Sequence, residues 1–399
     1  MSVSVPEVVT LGCRLNIADS EAIRQLLGTR DNVVVVNSCA VTNAAVKETR
    51  HAIRRLRRAR PDAELVVTGC AATIDPAGFG AMAEVDRVVS NLDKLAPAAW
   101  GATAASSPAT FAGHARAFVE VQNGCDHACT FCAIPAGRGA SRSLPAGAVV
   151  ERIAGLVAAG HNEVVLTGVD LTSYGHDLPG APTLGSLVER VLALVPALPR
   201  LRLSSLDAVE IDDRLFDLVT RERRVMPHLH LSFQAGSDLI LKRMKRRHLR
   251  AHATVLVERL KAARPAIAIG ADLIAGFPTE DEAMFADTLA LIDDCDIVHA
   301  HVFPYSPRDG TPAARMPQVA PELRRERAGR LREAAARRRH GWLRSLVGTR
   351  QDVLAERPGT SGHAGNFAEV WLAYPAPVGS IRSVVVTAAT DTHLQSIPA

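Results

Sequence analysis

The strongest constraint on the fold of this 399-residue chain is the repeated alternation of β-rich runs with helix-length segments. In the central part of the chain, six such runs occupy residues 118–122, 163–167, 200–204, 228–233, 267–274 and 297–303. Strands connected through helices form parallel sheets, because the helix returns the chain to the starting edge. We therefore predict a partial barrel of six β/α units over residues 116–339, with its active site at the C-terminal strand ends.

The two ends of the chain predict two further domains. Four β-rich runs at residues 5–11, 33–36, 65–68 and 85–89 predict an open parallel α/β domain over 1–100, in which Asp19 caps the first helix. Small, non-periodic residues at 101–115 predict a linker. Short β-rich runs between Gly and Pro turns predict a small all-β domain over 340–399. The fold class is therefore α/β.

The chain has seven cysteines, and their most favourable role depends on the redox state of the compartment in which the protein is located. The sequence has no apolar run near the ~18 residues of a membrane span, and residues 1–6 lack the pattern of a signal peptide. We therefore expect a cytoplasmic protein with no membrane partner. Because that compartment keeps thiols reduced, metal binding or catalysis is favoured over disulfide formation.

Three single cysteines follow successive strands of the N-terminal domain. Cys13, Cys39 and Cys70 each lie one to three residues past the end of a predicted strand. The carboxyl ends of parallel strands share one edge, where such sheets bind ligands. The spacing therefore predicts that the three thiols meet at one metal site.

Three more cysteines form a compact motif directly after the first barrel strand. Cys125, Cys129 and Cys132 have C-x3-C-x2-C spacing. Three thiolates can hold three irons of a 4Fe-4S cluster and leave the fourth iron open to a substrate or cofactor. A zinc site completed by His127 is the alternative, since structural zinc takes four ligands.

This loop, with Phe131 before its last cysteine, resembles that of the radical S-adenosylmethionine enzymes. The resemblance implies that Cys125, Cys129 and Cys132 hold the catalytic 4Fe-4S cluster. It also implies that S-adenosylmethionine binds the open iron and is cleaved to a radical that removes hydrogen from carbon. The protein positions and shields this reaction.

The order of the three domains resembles the methylthiotransferases over nearly the whole chain. The resemblance implies a second 4Fe-4S cluster on Cys13, Cys39 and Cys70, which handles sulfur, and an RNA-binding TRAM domain at the C-terminus. Residues 11–16, 228–231, 243–246 and 302–313 are most similar to the branch that acts on N6-threonylcarbamoyladenosine in tRNA. That branch converts the nucleoside, at position 37 and 3′ of the anticodon, to its 2-methylthio derivative. The implied partners are the anticodon stem-loop of tRNA and an electron donor such as a flavodoxin or ferredoxin.

Positions at the ends of later barrel strands are the candidate contacts to S-adenosylmethionine or substrate. The superfamily segment after the second strand contacts the amino group of the cofactor, and the fifth strand flanks its adenine. Carried onto this sequence, the candidates are Gly168, Asp170, Gln234, Ser237, Arg247, Asp272 and Gly276. Cys295, His299 and His301 are interpreted instead as core or surface groups.

Positive charge is concentrated in three runs at residues 47–60, 242–250 and 321–344. Such clustering suits a polyanion such as RNA, although solvated helix faces give the same pattern. The TRAM-like segment, 349–399, departs from this trend with three arginines against four acidic residues. The three basic runs are therefore expected to share the contacts to phosphate.

Other functions remain open from sequence. The same chemistry could act on isopentenyladenosine in tRNA or on a ribosomal-protein aspartate. A non-enzymatic iron-sulfur protein could sense redox state and bind RNA, and a zinc-dependent RNA-binding module is a further alternative.

Overall fold

The computed structural model describes residues 6–102, 111, 113–357 and 360–399, and it confirms the α/β fold class. Residues 103–110 and 112 of the predicted linker lie outside the described part. Within the described ranges, no helix is both long enough and apolar enough to cross a bilayer.

The N-terminal domain is a four-stranded parallel sheet in the order β1-β2-β3-β4. Its strands are β1 (Glu7–Thr10), β2 (Val33–Ser38), β3 (Glu64–Gly69) and β4 (Arg87–Val88). Its helices are α1 (Arg14–Leu27), α2 (Asn43–Ala59), α3 (Cys70–Ile74) and α4 (Pro76–Gly80). Strand β2 is buried along its whole length because α1 and α2 cover opposite faces of the sheet.

Helix α1 begins five residues before Asp19, so the prediction that Asp19 caps this helix is wrong. Cys13 occupies the N-cap position, and Asp19 lies in the second turn, where its carboxylate pairs with the buried Lys94 ammonium. A carboxylate followed by an apolar helix pattern is ambiguous, because it can cap the helix or pair across its buried side.

The central domain supplies the predicted parallel strands of a partial barrel. Its strands are β5 (Ala117–Glu120), β6 (Gln122–Asn123), β7 (Arg142–Ser143), β8 (Glu163–Thr167), β9 (Arg200–Leu203), β10 (His228–Gln234), β11 (Ala268–Ala275) and β12 (Ile297–Pro304). Its helices are α5 (Ile134–Arg138), α6 (Ala146–Ala158), α7 (Leu184–Leu194), α8 (Asp213–Arg221), α9 (Asp238–Arg243), α10 (Arg250–Ala263) and α11 (Glu282–Asp294). The short strands β6 and β7 pair antiparallel, which the sequence did not predict.

Two parallel three-stranded sheets, β5-β8-β9 and β10-β11-β12, make up the barrel wall. Leu206 joins them, because its N–H donates to the His230 carbonyl and its carbonyl accepts from the Ser232 N–H. Helix α1 packs against β5 and brings the N-terminal domain onto the barrel. The carboxyl ends of the strands of both domains can therefore contribute to one site.

The chain then continues through a long helix into a closed five-stranded barrel. Helix α12 (Pro321–Ser345) crosses the domain boundary that we predict at 339/340 and packs against β12. The barrel strands are β13 (Arg350–Arg357), β14 (Ser361–Ala364), β15 (Glu369–Trp371), β16 (Ile381–Ala389) and β17 (Leu394–Pro398). Their order, β13-β14-β15-β17-β16, gives the predicted all-β domain.

Phe367, between β14 and β15, joins this terminal barrel to the central domain. Its ring stacks on His228 with the ring centroids 5.0 Å apart. The guanidinium groups of Arg14 and Arg202 lie over the ring, at 5.6 and 4.9 Å from its centroid. Phe367 adopts φ of +69°, a left-handed conformation that a bulky residue keeps only when its surroundings hold it.

We predict that Phe367→Ala destabilises the docked C-terminal domain by about 2 kcal/mol, since a half-buried ring and its cation–π contacts are lost. Hydrogen exchange of β13 to β17 and a denaturant titration measure the loss. Tyr374→Ala is the matched control, because Tyr374 is 68% exposed. Equal effects of the two substitutions would contradict the anchoring role of Phe367.

Candidate active site

Backbone contacts hold the Cys125–Cys132 loop in a fixed shape. Gly124 has φ of +74°, and a Cβ at this position would lie 1.9 Å from the Ala140 carbonyl oxygen. The Cys125 N–H donates to the Gly139 carbonyl at 3.2 Å. Thr130 binds the C-terminal end of α9 twice, since its N–H donates to the Met244 carbonyl and its hydroxyl to the Arg243 carbonyl. The three thiols are therefore presented from a loop that is fixed at both ends.

Each thiol of this loop receives a hydrogen bond. The backbone N–H groups of His127 and Ile134 donate to the sulfurs of Cys125 and Cys132, both at 3.4 Å. The Arg246 guanidinium lies 3.6 Å from the Cys129 sulfur. Donors of this kind stabilise anionic sulfur and help to set the potential of an iron-sulfur cluster.

Burial disfavours the free thiolate at two of these positions. It raises the pKa of Cys125 to about 12 and that of Cys132 to about 11. Thiols with such pKa values stay protonated at neutral pH unless a metal replaces the proton. Partly buried sulfurs with hydrogen-bond donors therefore fit a metal cluster better than free nucleophilic cysteines.

The structure brings the three N-terminal cysteines together as predicted. Cys13 occupies the N-cap position of α1, Cys39 follows β2, and Cys70 begins α3. Burial raises the pKa of Cys39, and the nearby thiols of Cys13 and Cys70 raise it further. Gly12, at φ of +95°, leaves space for this cluster of thiols, because a Cβ there would lie 2.6 Å from the Cys39 sulfur.

The two sets of cysteines open into one cavity of about 370 Å³ between the N-terminal domain and the barrel. Cys13 and Cys70 line it from one side, and Cys132 lines it from the other. A second cavity, of about 150 Å³, lies over Cys125, Cys129 and Cys132. Phe131, Cys132, Ile134 and Gln234 line both cavities, so the two spaces are adjacent.

Arg138 lies beside the N-terminal cysteine site and is 1% exposed. Its guanidinium donates to Asn16 at 2.6 Å and to Asn123 at 3.1 Å. Burial lowers its pKa, but the charges of Cys70 and Asp19 outweigh that effect and raise it above the usual arginine value. Arg138 thus places a permanent positive charge beside the N-terminal thiols from a helix that directly follows the Cys125–Cys132 loop.

Gly168 and Asp170 lie beside this loop, where the sequence analysis places them. The Asp170 carboxylate is 3.8 Å from the Cys125 sulfur and 2.7 Å from His127 Nε2. The Gln122 side chain fixes the segment by accepting from the N–H groups of Val169 and Asp170. A Cβ at Gly168 would lie 2.9 Å from the Gln122 amide oxygen, which explains the glycine.

The other candidate residues occupy different surroundings. Gln234 and Asp272 line the cavity between the cysteine sites. Ser237 is buried at the start of α9, and the half-exposed Arg247 pairs with Asp207 and Glu210. A Cβ at Gly276 would lie 2.3 Å from the Arg324 side chain, so the absence of a side chain at Gly276 allows α12 to pack closely there. The cofactor roles of these residues remain predictions.

Three residues that the sequence analysis missed shape the site: Gln122, Arg138 and Arg246. Each is charged or amidic and almost fully buried, which becomes visible only in the folded chain. Two of them lie within 15 residues of the Cys125–Cys132 motif, so its flanking polar residues were the available signal. Arg246 belongs to a basic run that the sequence analysis assigned to the surface.

A radical S-adenosylmethionine barrel joined to a second cysteine-bearing α/β domain is the class of protein that the fold and the site define. Residues 119–292 match the Radical SAM superfamily, and residues 6–90 match the uncharacterized protein family UPF0004. A solved radical S-adenosylmethionine methyltransferase, TsrM of Kitasatospora setae with cobalamin and a 4Fe-4S cluster, shares the fold. Its TM-score is 0.53 at 18% identity, over 79% of this chain and 77% of that one.

Full-length relatives define the family more closely. Threonylcarbamoyladenosine tRNA methylthiotransferase MtaB of Rickettsia prowazekii is 45% identical, over 98% of this chain and 97% of its own length. The protein of the same name from Bacillus subtilis is 36% identical, over 81% and 78%. A tRNA-2-methylthio-N(6)-dimethylallyladenosine synthase of Novosphingobium aromaticivorans is 36% identical, over 90% and 88%. This chain belongs to the threonylcarbamoyladenosine tRNA methylthiotransferase family.

The cofactors of this family are S-adenosylmethionine and two 4Fe-4S clusters. The donor set fits them, since each site offers three thiols and at least one nitrogen donor to sulfur. At the N-terminal site that donor is Asn91, whose amide lies 3.4 Å from the Cys70 sulfur. Three thiols per cluster leave one iron free at each site.

We predict that Gly12→Ala lowers the iron content from about eight to about four per chain. The new Cβ collides with Cys39, whereas the Cys125–Cys132 loop is untouched. Iron and sulfide analysis after anaerobic reconstitution measures this loss. Gly28→Ala is the matched control, because Gly28 also has positive φ but nothing lies within 4 Å of its Cβ position. Full iron content in the Gly12→Ala variant would contradict the prediction.

Proposed function

We propose that this chain inserts a methylthio group at C2 of N6-threonylcarbamoyladenosine in tRNA, 3′ of the anticodon. The observation that carries the proposal is the single cavity onto which both cysteine sites open. A transfer of sulfur to carbon needs the sulfur-bearing site and the site that activates carbon to reach the same nucleoside. The similarity to MtaB relatives over nearly the full chain supports the choice of substrate.

In this proposal the two cysteine sites have different roles. Cys125, Cys129 and Cys132 hold the cluster that, with S-adenosylmethionine, supplies a radical able to remove hydrogen from carbon. Cys13, Cys39 and Cys70 hold the cluster that carries the sulfur to be transferred. Arg246 and Arg138 each place a guanidinium beside one site, where it offsets the negative charge of the thiolates.

The cavity walls are suited to radical chemistry because they are largely apolar. Phe131, Ile274, Phe303 and Tyr305 line the space, with Gln234 and Asp272 as polar groups. Apolar walls exclude water and so limit side reactions of a reactive intermediate. The substrate nucleoside would lie between these walls with C2 toward Cys132.

S-adenosylmethionine is assigned to the smaller cavity, above the Cys125–Cys132 loop. Asp170, 3.8 Å from the Cys125 sulfur, is positioned to accept from the amino group of the cofactor. Gln234 lies between the two cavities and so within reach of both the cofactor and the substrate. Gly168, Ser237, Arg247, Asp272 and Gly276 stay candidate contacts from sequence.

The tRNA partner is assigned to exposed cations of α2 and of the segment at the end of α9. Lys47, Arg55 and Arg58 project from α2, and Lys242 and Lys245 lie at the end of α9. Contacts of this type hold the phosphate backbone of the anticodon stem-loop without reading its sequence. The proposal also includes a low-potential electron donor, such as a flavodoxin or ferredoxin. It further includes a cytoplasmic location.

We predict that Cys129→Ala abolishes the formation of 5′-deoxyadenosine, whereas Cys39→Ala retains it and loses only the methylthio product. The substitutions separate the two steps because each removes a ligand from one site. The assay is anaerobic turnover under reduction, followed by mass analysis of hydrolysed tRNA. Cys295→Ala, at a buried thiol in the barrel core, is the matched control and keeps both activities.

Substrate choice is tested by supplying tRNA that carries either threonylcarbamoyladenosine or isopentenyladenosine. We expect the 2-methylthio derivative of the first nucleoside alone. Product from isopentenyladenosine, or on a ribosomal protein, would reassign the substrate and leave the radical mechanism intact. Unchanged 5′-deoxyadenosine formation by Cys129→Ala would overturn the mechanism itself.

A further inference from the structure

Two histidines and one aspartate from three neighbouring barrel strands come together, with His230 buried, Asp272 half-buried and His301 exposed. His230 lies on β10, Asp272 on β11 and His301 on β12. Asp272 pairs in register with His301, and His230 pairs with Gly270, two residues before Asp272. Since side chains alternate along a strand, Gly270 and Asp272 occupy the same face of β11.

The three side chains are close enough to share one ion. Asp272 Oδ1 lies 3.1 Å from His230 Nε2 and 3.3 Å from His301 Nδ1. One ligand atom from each residue lies within 4.8 Å of the other two. Gly270 makes room for this arrangement, because a Cβ there would lie 2.6 Å from His230 Nδ1.

The contact between His230 and Asp272 is short but is not a well-formed hydrogen bond. His230 Nε2 is buried and has no hydrogen-bond partner among the described residues, although the Asp272 oxygen is 3.1 Å away. A buried ring nitrogen without a partner costs free energy that a ligand can recover. Two imidazoles and one carboxylate on one side of an open space are a typical ligand set for divalent transition metals.

We propose that His230, Asp272 and His301 bind one divalent transition-metal ion, separate from the two iron-sulfur sites. The ion would lie at the boundary between two cavities. Asp272 lines the 370 Å³ cavity between the cysteine sites. His230 and His301 line a different cavity of about 470 Å³, on the side of the terminal β-domain. Three protein ligands leave open coordination positions that face these spaces.

The charge of this site indicates which kind of ligand binds at the open coordination positions of the ion. Two neutral imidazoles and one carboxylate leave a divalent ion with a net positive charge. Three arginines (Arg14, Arg332 and Arg339) against two carboxylates (Glu369 and Asp391) line the 470 Å³ cavity and keep its charge positive. An oxyanion is therefore the complementary ligand. We assign this oxyanion as the carboxylate of the threonylcarbamoyl group, which an isopentenyl group lacks. This assignment rests on the proposed function.

The metal site is tested first without RNA. Zinc binding is measured by competition with a chromophoric chelator, using anaerobically reconstituted protein whose cysteines are already occupied by about eight irons. We expect one zinc per chain, and roughly 100-fold weaker binding in Asp272→Asn and His301→Gln. Iron content and thermal unfolding of both variants report whether the fold and the clusters are intact.

His51→Gln is the matched control, because His51 is exposed on α2. It should bind zinc as the wild type does. Absence of a zinc equivalent in the wild type, or equal affinity in the wild type and both site variants, would overturn the metal site. This result does not depend on the substrate, so it leaves the proposed function standing.

The assigned ligand is tested with anticodon stem-loops that carry threonylcarbamoyladenosine or unmodified adenosine. We expect zinc to tighten binding of the modified stem-loop about tenfold and to leave the unmodified one unchanged. The gain should vanish in Asp272→Asn. Equal effects of zinc on the two RNAs would overturn the assignment of the carboxylate, even if the metal itself binds.

Discussion

The active site depends on a buried ionic contact between the N-terminal domain and the barrel. Arg138, on the barrel side, binds Asn16 of α1 and lies 3.4 Å from the Asp19 carboxylate, which Lys94 also neutralises. All four groups are almost fully buried. Removing one partner from such a network leaves an uncompensated charge, so the network tolerates only one relative position of the two domains. That position is the one in which both sets of cysteines open onto the same cavity.

Much of the fold and of the cysteine chemistry could be predicted from sequence, because both depend on local patterns. The six barrel strands follow β-rich runs, and the N-terminal thiols meet because parallel strands end at one edge. The resemblance to methylthiotransferases was also confirmed. Pairing between distant residues could not be predicted: Asp19 was expected to cap a helix, whereas it pairs with Lys94, 75 residues away. Likewise, His230 and His301 lie far apart in sequence and become neighbours only through strand order.

The basic runs show a related difference between sequence and structure. In the run at 242–250, Arg246, Arg247 and Arg250 pair with carboxylates of the barrel. In helix α12, Arg327 is buried against Glu280. These arginines stabilise the fold, so they contribute less to an RNA-binding surface than their number indicates. Helix α2 shows the same mixture, because Arg50, Arg54 and Arg57 pair with carboxylates. Its exposed Lys47, Arg55 and Arg58 are therefore the candidates for phosphate contacts on this helix.

Helix α12 spans the distance between the barrel and the terminal β-domain without a break. Its 25 residues correspond to about 37 Å of helix. One end is fixed where Arg324 packs on Gly276 and binds the Tyr305 carbonyl, and Tyr305 lines the central cavity. The length of the helix therefore fixes the distance between its two ends. It sets how far the central cavity lies from the start of the terminal domain, and a change of one turn would move that end of the helix by about 5 Å.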